Sequence, residues 1–234
     1  MNASDRLIVA LDRSSRSEIL RLVDELSGLA GVFKVGLQAF TANGPDLVRE
    51  IAARGERVFL DLKLHDIPNT VRKAVEEASR LGAEMLTVHA SGGEAMMRAA
   101  AEAAAGSGRP LLVLGVTVLT SLDARSIAQI GLEGSAEQAA RRLASLAKGA
   151  GLGGVVASPR EIAAIRREIG AGITIVTPGI RAARETAGDQ SRTLPADEAL
   201  RLGADYLVVG RPITESPRPR EAAEAFVREM SGSH

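Results

Sequence analysis

Cysteine is absent from the 234-residue chain, which excludes disulfides, thiolate metal sites and a cysteine nucleophile. An excess of either charge is absent too. The 29 Lys and Arg balance 29 Asp and Glu, so no bulk field draws the protein to nucleic acid or to a membrane surface, and any bound anion must be gripped locally. Long apolar runs are missing. The polar stretch Met1–Arg6 leads into an apolar run too short for a signal peptide or a membrane span, and the expectation is a soluble cytoplasmic protein. A P-loop is missing as well: Gly151–Gly154 is glycine-rich, but no Lys follows at the required spacing and a strand comes next, so the run reads as a turn. No linker or low-complexity segment divides the chain, and Ser231–His234 reads as a disordered tail.

What is present is an apolar fraction of 45% with 25% charged residues, enough to bury a full core. Apolar runs of strand length fall at Leu7–Leu11, Val32–Val35, Val58–Leu62, Met85–Val88, Leu111–Val116, Gly154–Val156, Ile173–Val176 and Tyr206–Val209. They are nearly continuous in Val, Ile and Leu, as parallel strands covered on both faces are. Between them lie segments of helical periodicity such as Ser15–Leu26, Val71–Arg80 and Glu137–Lys148. Alternating strands and helices imply a parallel sheet, and eight units of about 30 residues match a (β/α)8 TIM barrel filling residues 1–234 as a single domain. An internal echo fits this: Arg80–Val88 matches Arg201–Val209, each a helix end, a glycine suited to positive φ, then a buried strand. A shared repeat and convergent turn chemistry predict the same geometry there.

In such a barrel the reacting groups come from the C-terminal ends of the strands and the loops beyond. Strand 1 ends in Asp12, strand 2 carries Lys34, and strand 3 runs into Asp61-Leu62-Lys63-Leu64-His65-Asp66. A period of two puts Asp61 and Lys63 on one face. Burying the two is costly unless each neutralises the other, and Asp12, Lys34 and Asp66 extend the set into a network of alternating charge. Such a network holds Lys63 protonated and aimed, as a general acid must be; the alternative is an ordinary surface ion pair. Pro68, next in line, suits the first turn of a helix. After strands 7 and 8, Gly179-Ile180-Arg181 and Gly210-Arg211 place flexible backbone and guanidinium forks where barrels often bind phosphate. Ala182–Arg192, with Gly188 and Gln190, reads as a lid, against the alternative of a plain solvated loop. His65 and His89 are candidate bases or ligands, but a hydrogen-bonded structural role is the stronger expectation for both.

The run Asp61-Leu62-Lys63-Leu64-His65-Asp66-Ile67-Pro68-Asn69-Thr70 resembles the signature of orotidine 5′-phosphate decarboxylases. Leu7–Asp12, Phe33–Gly36, Thr87–Gly93, Gly115–Ser121, Thr177–Arg181, Gly188–Arg192 and Asp205–Thr214 resemble further segments of that family in the same order, so the likeness spans nearly the whole chain. Two departures are Ala182, where the family commonly has Pro, and Leu194, where it often has Thr or Ser. The resemblance implies that Asp12 and Lys34 contact ribose hydroxyls, that Asp61 sits against the substrate carboxylate and that Lys63 delivers a proton to C6. It implies that Asp66 completes the charged network from the neighbouring subunit of a homodimer, with Ile67 and Thr70 beside it. Thr120 would hydrogen-bond the pyrimidine, Pro178 would line its pocket, and Arg181, Gln190, Gly210 and Arg211 would hold the phosphate.

The implied substrate is orotidine 5′-phosphate. Loss of CO2 from C6 leaves an electron pair that the ring π system does not delocalise, and the sequence shows no pyridoxal, thiamine or metal site to act as a sink. The expected chemistry is therefore free of cofactor and metal, carried by fixed charges. Two rivals share parts of the pattern. Sister barrels acting on sugar phosphates, such as ketogulonate-phosphate decarboxylases and hexulose-phosphate synthases, use an Asp-x-Lys-x-x-Asp core to hold Mg2+. A noncatalytic nucleotide-phosphate sensor is the other. The His65–Thr70 run, Gln190 and Arg211 favour the nucleotide enzyme over the first, and an intact Lys63 among carboxylates disfavours the second.

Overall fold

In a computed structural model, which describes residues 1–180 and 194–232, eight parallel strands close into a barrel in sequence order. They are β1 (Leu7–Ala10), β2 (Val32–Gly36), β3 (Val58–Leu64), β4 (Ala83–His89), β5 (Leu112–Val116), β6 (Gly154–Val156), β7 (Thr174–Thr177) and β8 (Tyr206–Val209). All eight fall where the apolar runs place them. Helices cover the outside, among them Arg16–Leu26, Pro68–Arg80, Ala136–Gly149 and Pro219–Ser231. Among the described residues no helix is long and apolar enough to cross a membrane.

The helix limits follow local chemistry. Ser15 caps Arg16–Leu26 by accepting the Glu18 N–H, and Ser135 with Gln138 forms a reciprocal capping box on Ala136–Gly149. Pro68 occupies the first turn of Pro68–Arg80, as expected, and carries the helix three residues further back than the periodicity alone suggested. In the two echoing segments Gly82 and Gly203 adopt φ of 89° and 108°, which turn the chain from helix end into strand at no side-chain cost. At the C-terminus the last helix runs on to Ser231, whose hydroxyl donates to the Val227 carbonyl at 2.7 Å. Ser231 therefore belongs to that helix rather than to the expected tail, of which Ser233 and His234 lie outside the described residues.

The strands bury side chains in two directions. Odd-numbered positions of β1, Leu7 and Val9, join Leu26, Phe33, Leu60 and Leu86 in the layer between sheet and helices. Even-numbered Ile8 and Ala10 join Val32, Phe59, Met85, Leu114, Val176, Tyr206 and Val208 inside the barrel. Each large aliphatic or aromatic side chain so buried contributes about 1.5–3 kcal/mol. The inner set is also the floor of the barrel mouth. Two residues beyond Val32, Phe59 and Met85 on the same strand face stand Lys34, Asp61 and Thr87, so the pleat that fills the barrel delivers the polar groups above it.

The barrel closes at its opposite end through backbone acceptors. Arg6 donates to the carbonyls of Asp205 and Ala204 at 2.9 and 2.6 Å, tying the start of β1 to that of β8. Asp205 in turn accepts the Ile175 N–H at 2.7 Å and pairs with Arg166 at 2.8 Å.

Candidate active site

The pairing of β3 with β4 is regular from Phe59 to Leu60 and then slips. Leu60 pairs with Leu86 and Leu64 with Val88, leaving Asp61, Leu62 and Lys63 opposite Thr87 alone. The excess residues are absorbed as a bulge, and Lys63 takes φ of 51°, the one positive φ outside glycine among the described residues. A left-handed lysine is uncommon, and such outliers persist only where neighbours over-determine them. Here the Lys63 N–H donates to the Thr87 hydroxyl at 2.9 Å. Thr87 is fully buried and its hydroxyl donates in turn to Asp61 Oδ1 at 2.9 Å.

On this bulge stands a chain of alternating charge. Lys63 Nζ donates to both Asp61 oxygens, at 2.9 and 2.8 Å. Lys34 Nζ lies 3.6 Å from Asp61 Oδ2 and 3.0 Å from Asp12 Oδ1. Lys34 is only 8% exposed, so its charge rests on those two carboxylates rather than on water. Burial works to raise the Asp61 pKa, but the Lys34 and Lys63 ammonium groups and the hydrogen bonds from Lys63 and Thr87 outweigh it and hold the carboxyl below its usual range. Of the network anticipated from Asp12, Lys34, Asp61, Lys63 and Asp66, the first four are brought together within this chain and Asp66 is not.

These four residues line a cavity of about 830 Å3 at the barrel mouth, together with Thr120, Pro178, Gly179, Gly210 and Arg211. The charged cluster at the C-terminal ends of strands 1 to 3 and the loops after strands 7 and 8 thus face one space, of the size that takes a small organic ligand. Val116, Val118, Leu119 and Val156 supply an apolar wall. Arg181 and Gln190, with the proposed lid Ala182–Arg192, lie outside the described residues. Of the described residues on either side, Ile180 and Leu194 form a parallel bridge.

Asp66, Ile67 and Thr70 are placed differently. All three are exposed, on the turn and first helical residues beyond β3, and none lines the cavity of its own chain. Asp66 Oδ1 accepts the Ile67 N–H at 2.7 Å within that turn. The two histidines face each other, with ring centroids 5.3 Å apart, and among the described residues neither imidazole makes a hydrogen bond, unlike the structural role expected for them. Burial, then His65 and Lys63, hold the His89 pKa below the ordinary histidine value, against the pull of Asp61.

Sequence reasoning missed three contributors. Thr87 is one; its place opposite the bulge depends on a slip in pairing that no local pattern announces. Gly36 is another, since a methyl group there would sit 2.8 Å from Asp12 Oδ1 and 2.9 Å from Lys34 Nζ. Gln38 lines the cavity and donates to Ser14 at 3.1 Å. The first two lie inside segments of the family resemblance, which was the available signal.

Comparison with known proteins agrees with this geometry. The profile of the Orotidine 5'-phosphate decarboxylase / HUMPS family matches residues 5–226. A protein of Moorella thermoacetica named orotidine 5'-phosphate decarboxylase is 53% identical over 98% of this chain and 94% of its own length. One of the same name from Syntrophotalea carbinolica is 51% identical, covering 100% and 98%. Among solved structures, orotidine 5'-phosphate decarboxylase from Lactobacillus acidophilus superposes with a TM-score of 0.86 at 33% identity, covering 96% of this chain and 98% of that one. With the profile matching across the barrel and half the residues shared along its length, the chain belongs to the orotidine 5'-phosphate decarboxylase / HUMPS family.

Proposed function

We propose that this protein is a carboxy-lyase that converts orotidine 5′-phosphate to UMP and CO2 in de novo pyrimidine biosynthesis, without a cofactor or metal, in the cytoplasm. The observation that carries the reading is the unbroken sequence Asp12, Lys34, Asp61, Lys63 of alternating charge, at the wall of a cavity that also meets the loops after strands 7 and 8. Decarboxylation without an electron sink needs a fixed cation beside the carbon that gains the electron pair, and Lys63 is the ammonium held at that wall.

In the proposed reaction the C6–carboxylate bond breaks and its electron pair stays on C6. The Lys63 ammonium stabilises that pair electrostatically and then gives C6 a proton, and the resulting amine is reprotonated by solvent. Asp61 fixes Lys63 by taking both oxygens to it and stands next to the departing carboxylate. Asp12 and Lys34 bind the ribose hydroxyls, Thr120 and Pro178 the pyrimidine, and Arg181, Gln190, Gly210 and Arg211 the phosphate. Grip on the remote phosphate supplies binding energy that can be realised at C6. Asp66, with Ile67 and Thr70, serves the site of the second subunit in a homodimer, where an exposed position on the chain's own surface becomes a buried one.

Incubation with orotidine 5′-phosphate, with and without EDTA, tests the reading by the loss of substrate absorbance as UMP forms. Equal turnover in both arms is expected. Inhibition by EDTA that Mg2+ alone reverses would move the assignment to a sugar-phosphate sister of the family, and binding without turnover would leave a nucleotide sensor.

A further inference from the structure

We propose that Thr87 is the positioning residue of this site, holding the Asp61 carboxylate and the Lys63 backbone in one hydroxyl-centred joint; the proposal rests on the decarboxylase reading for its effect on turnover but not for its geometry. The direction of both hydrogen bonds is fixed. The Lys63 amide can only donate, so the Thr87 oxygen accepts from it at 2.9 Å. An ionised Asp61 can only accept, so the hydroxyl proton points to Oδ1, again at 2.9 Å. A serine or threonine hydroxyl can play both parts at once; a purely apolar side chain of the same shape can play neither.

The joint answers a specific structural need. The bulge removes the Lys63 N–H from the β3–β4 ladder, and Thr87 is the single β4 residue facing the three that slip. Without a side-chain acceptor there, a partly buried amide would be left unpaired and the left-handed conformation of Lys63 would lose a constraint. That conformation sets the point from which the lysine stem reaches back to Asp61. Thr87 therefore acts on the ammonium through the backbone and on the carboxylate directly, while its own hydroxyl is spent on protein groups.

Asp61 is faced by Lys34 from β2, by Lys63 on its own strand and by Thr87 and His89 from β4, with Asp12 beyond Lys34. Removing the Thr87 proton takes one of the hydrogen bonds that favour the ionised form.

Thr87→Val and Thr87→Ser separate the two hydrogen bonds from mere packing. For Thr87→Val a fall in kcat of about 10- to 100-fold is expected, the size of a lost hydrogen bond to a charged group, with KM changing far less because the phosphate loops lie elsewhere. Thr87→Ser should recover most of the loss. In the ligand-free protein, 13C NMR of the Asp61 carboxyl should show its titration moving up in Thr87→Val and staying low in Thr87→Ser. Thr87→Ala, which only removes atoms, replaces Thr87→Val should valine fail to fold. A folded apolar variant with wild-type kcat and an unmoved Asp61 titration would overturn the proposal, as would a serine variant as defective as valine. If the wild-type chain does not turn over orotidine 5′-phosphate, the decarboxylase reading fails by itself, and the Asp61 titration still decides the role of Thr87.

Discussion

Asp61 and Lys63 stand two residues apart on one strand, yet the ammonium reaches both carboxylate oxygens, at 2.9 and 2.8 Å. In a regular strand their side chains would project in parallel. The bulge, with Lys63 at φ 51°, folds the second back over the first. The pair is consequently a local unit whose aim is set by the backbone rather than by a flexible stem.

From that unit follows the effect of removing its cation. Lys63→Ala should leave a folded barrel, because the lysine is part-exposed and belongs to neither hydrophobic cluster. Turnover of orotidine 5′-phosphate should drop by roughly 10^4-fold or more, combining loss of the proton donor with loss of the fixed charge. Circular dichroism establishes the fold and the absorbance assay the rate; a variant turning over at near wild-type speed would remove Lys63 from the mechanism.

Gly36 gives a prediction of a different kind. Its φ of −90° is open to any residue, so Gly36→Ala carries no backbone strain. The added methyl would instead lie within 3 Å of both Asp12 and Lys34 and force that pair apart. We expect thermal stability close to wild type and kcat/KM lowered on the order of 10- to 100-fold, mainly through KM if the pair holds the ribose. Unchanged kinetics would show that the Asp12–Lys34 contact is not needed for binding.

These residues also mark what the sequence could and could not disclose. Eight apolar runs yielded eight strands because a strand buried on both faces leaves an unmistakable local pattern. Asp12, Lys34, Asp61 and Lys63 were legible for a related reason: charge at the end of such a run is costly unless it is used. Thr87 was not, since a threonine within a strand reads as ordinary β propensity until the slip between β3 and β4 is seen. Gly36 was silent because its role is to be small beside two groups whose meeting is tertiary. His65 and His89 were expected to be satisfied by hydrogen bonds, but one ring is paired against the other instead, a contact between strand ends 24 positions apart.

The histidine pair bears on pH. The His89 pKa lies below the ordinary value of 6.5, so the folded protein favours neutral imidazole and the unfolded chain binds the proton more readily. Its contribution to stability is whole above 6.5 and is lost as pH falls from there through the depressed folded value. Asp61 has the same sign at a lower window, since its carboxyl is also depressed and contributes until pH falls below the ordinary carboxylate range. His89→Gln should therefore flatten the decline in urea midpoint just below pH 6.5 while leaving the steeper loss at strongly acid pH. An identical decline in the variant would mean that His89 protonates as freely folded as unfolded.

The last prediction concerns Asp66. It is exposed, turned outward beside an Ile67 that is 67% exposed, and absent from the cavity its own Lys63 lines. An acidic residue and a bare isoleucine together on the rim of the barrel gain a purpose if a second copy of the chain covers them. In a two-fold dimer the relation is mutual: each Asp66 serves the site built on the other subunit's Lys63. Take Asp66→Asn and Lys63→Ala, each nearly inactive by itself. In a mixed dimer the site on the Lys63→Ala chain receives both substitutions. The site on the Asp66→Asn chain keeps its own lysine and takes an intact Asp66 from its neighbour, and so is restored. After full exchange of equal amounts, half the dimers are mixed and each has one working site, so activity should rise to about a quarter of wild type. Sedimentation establishes the dimer, and native mass spectrometry of isotope-labelled chains establishes the exchange. Mixed dimers that form and stay inactive would place Asp66 in the service of its own chain.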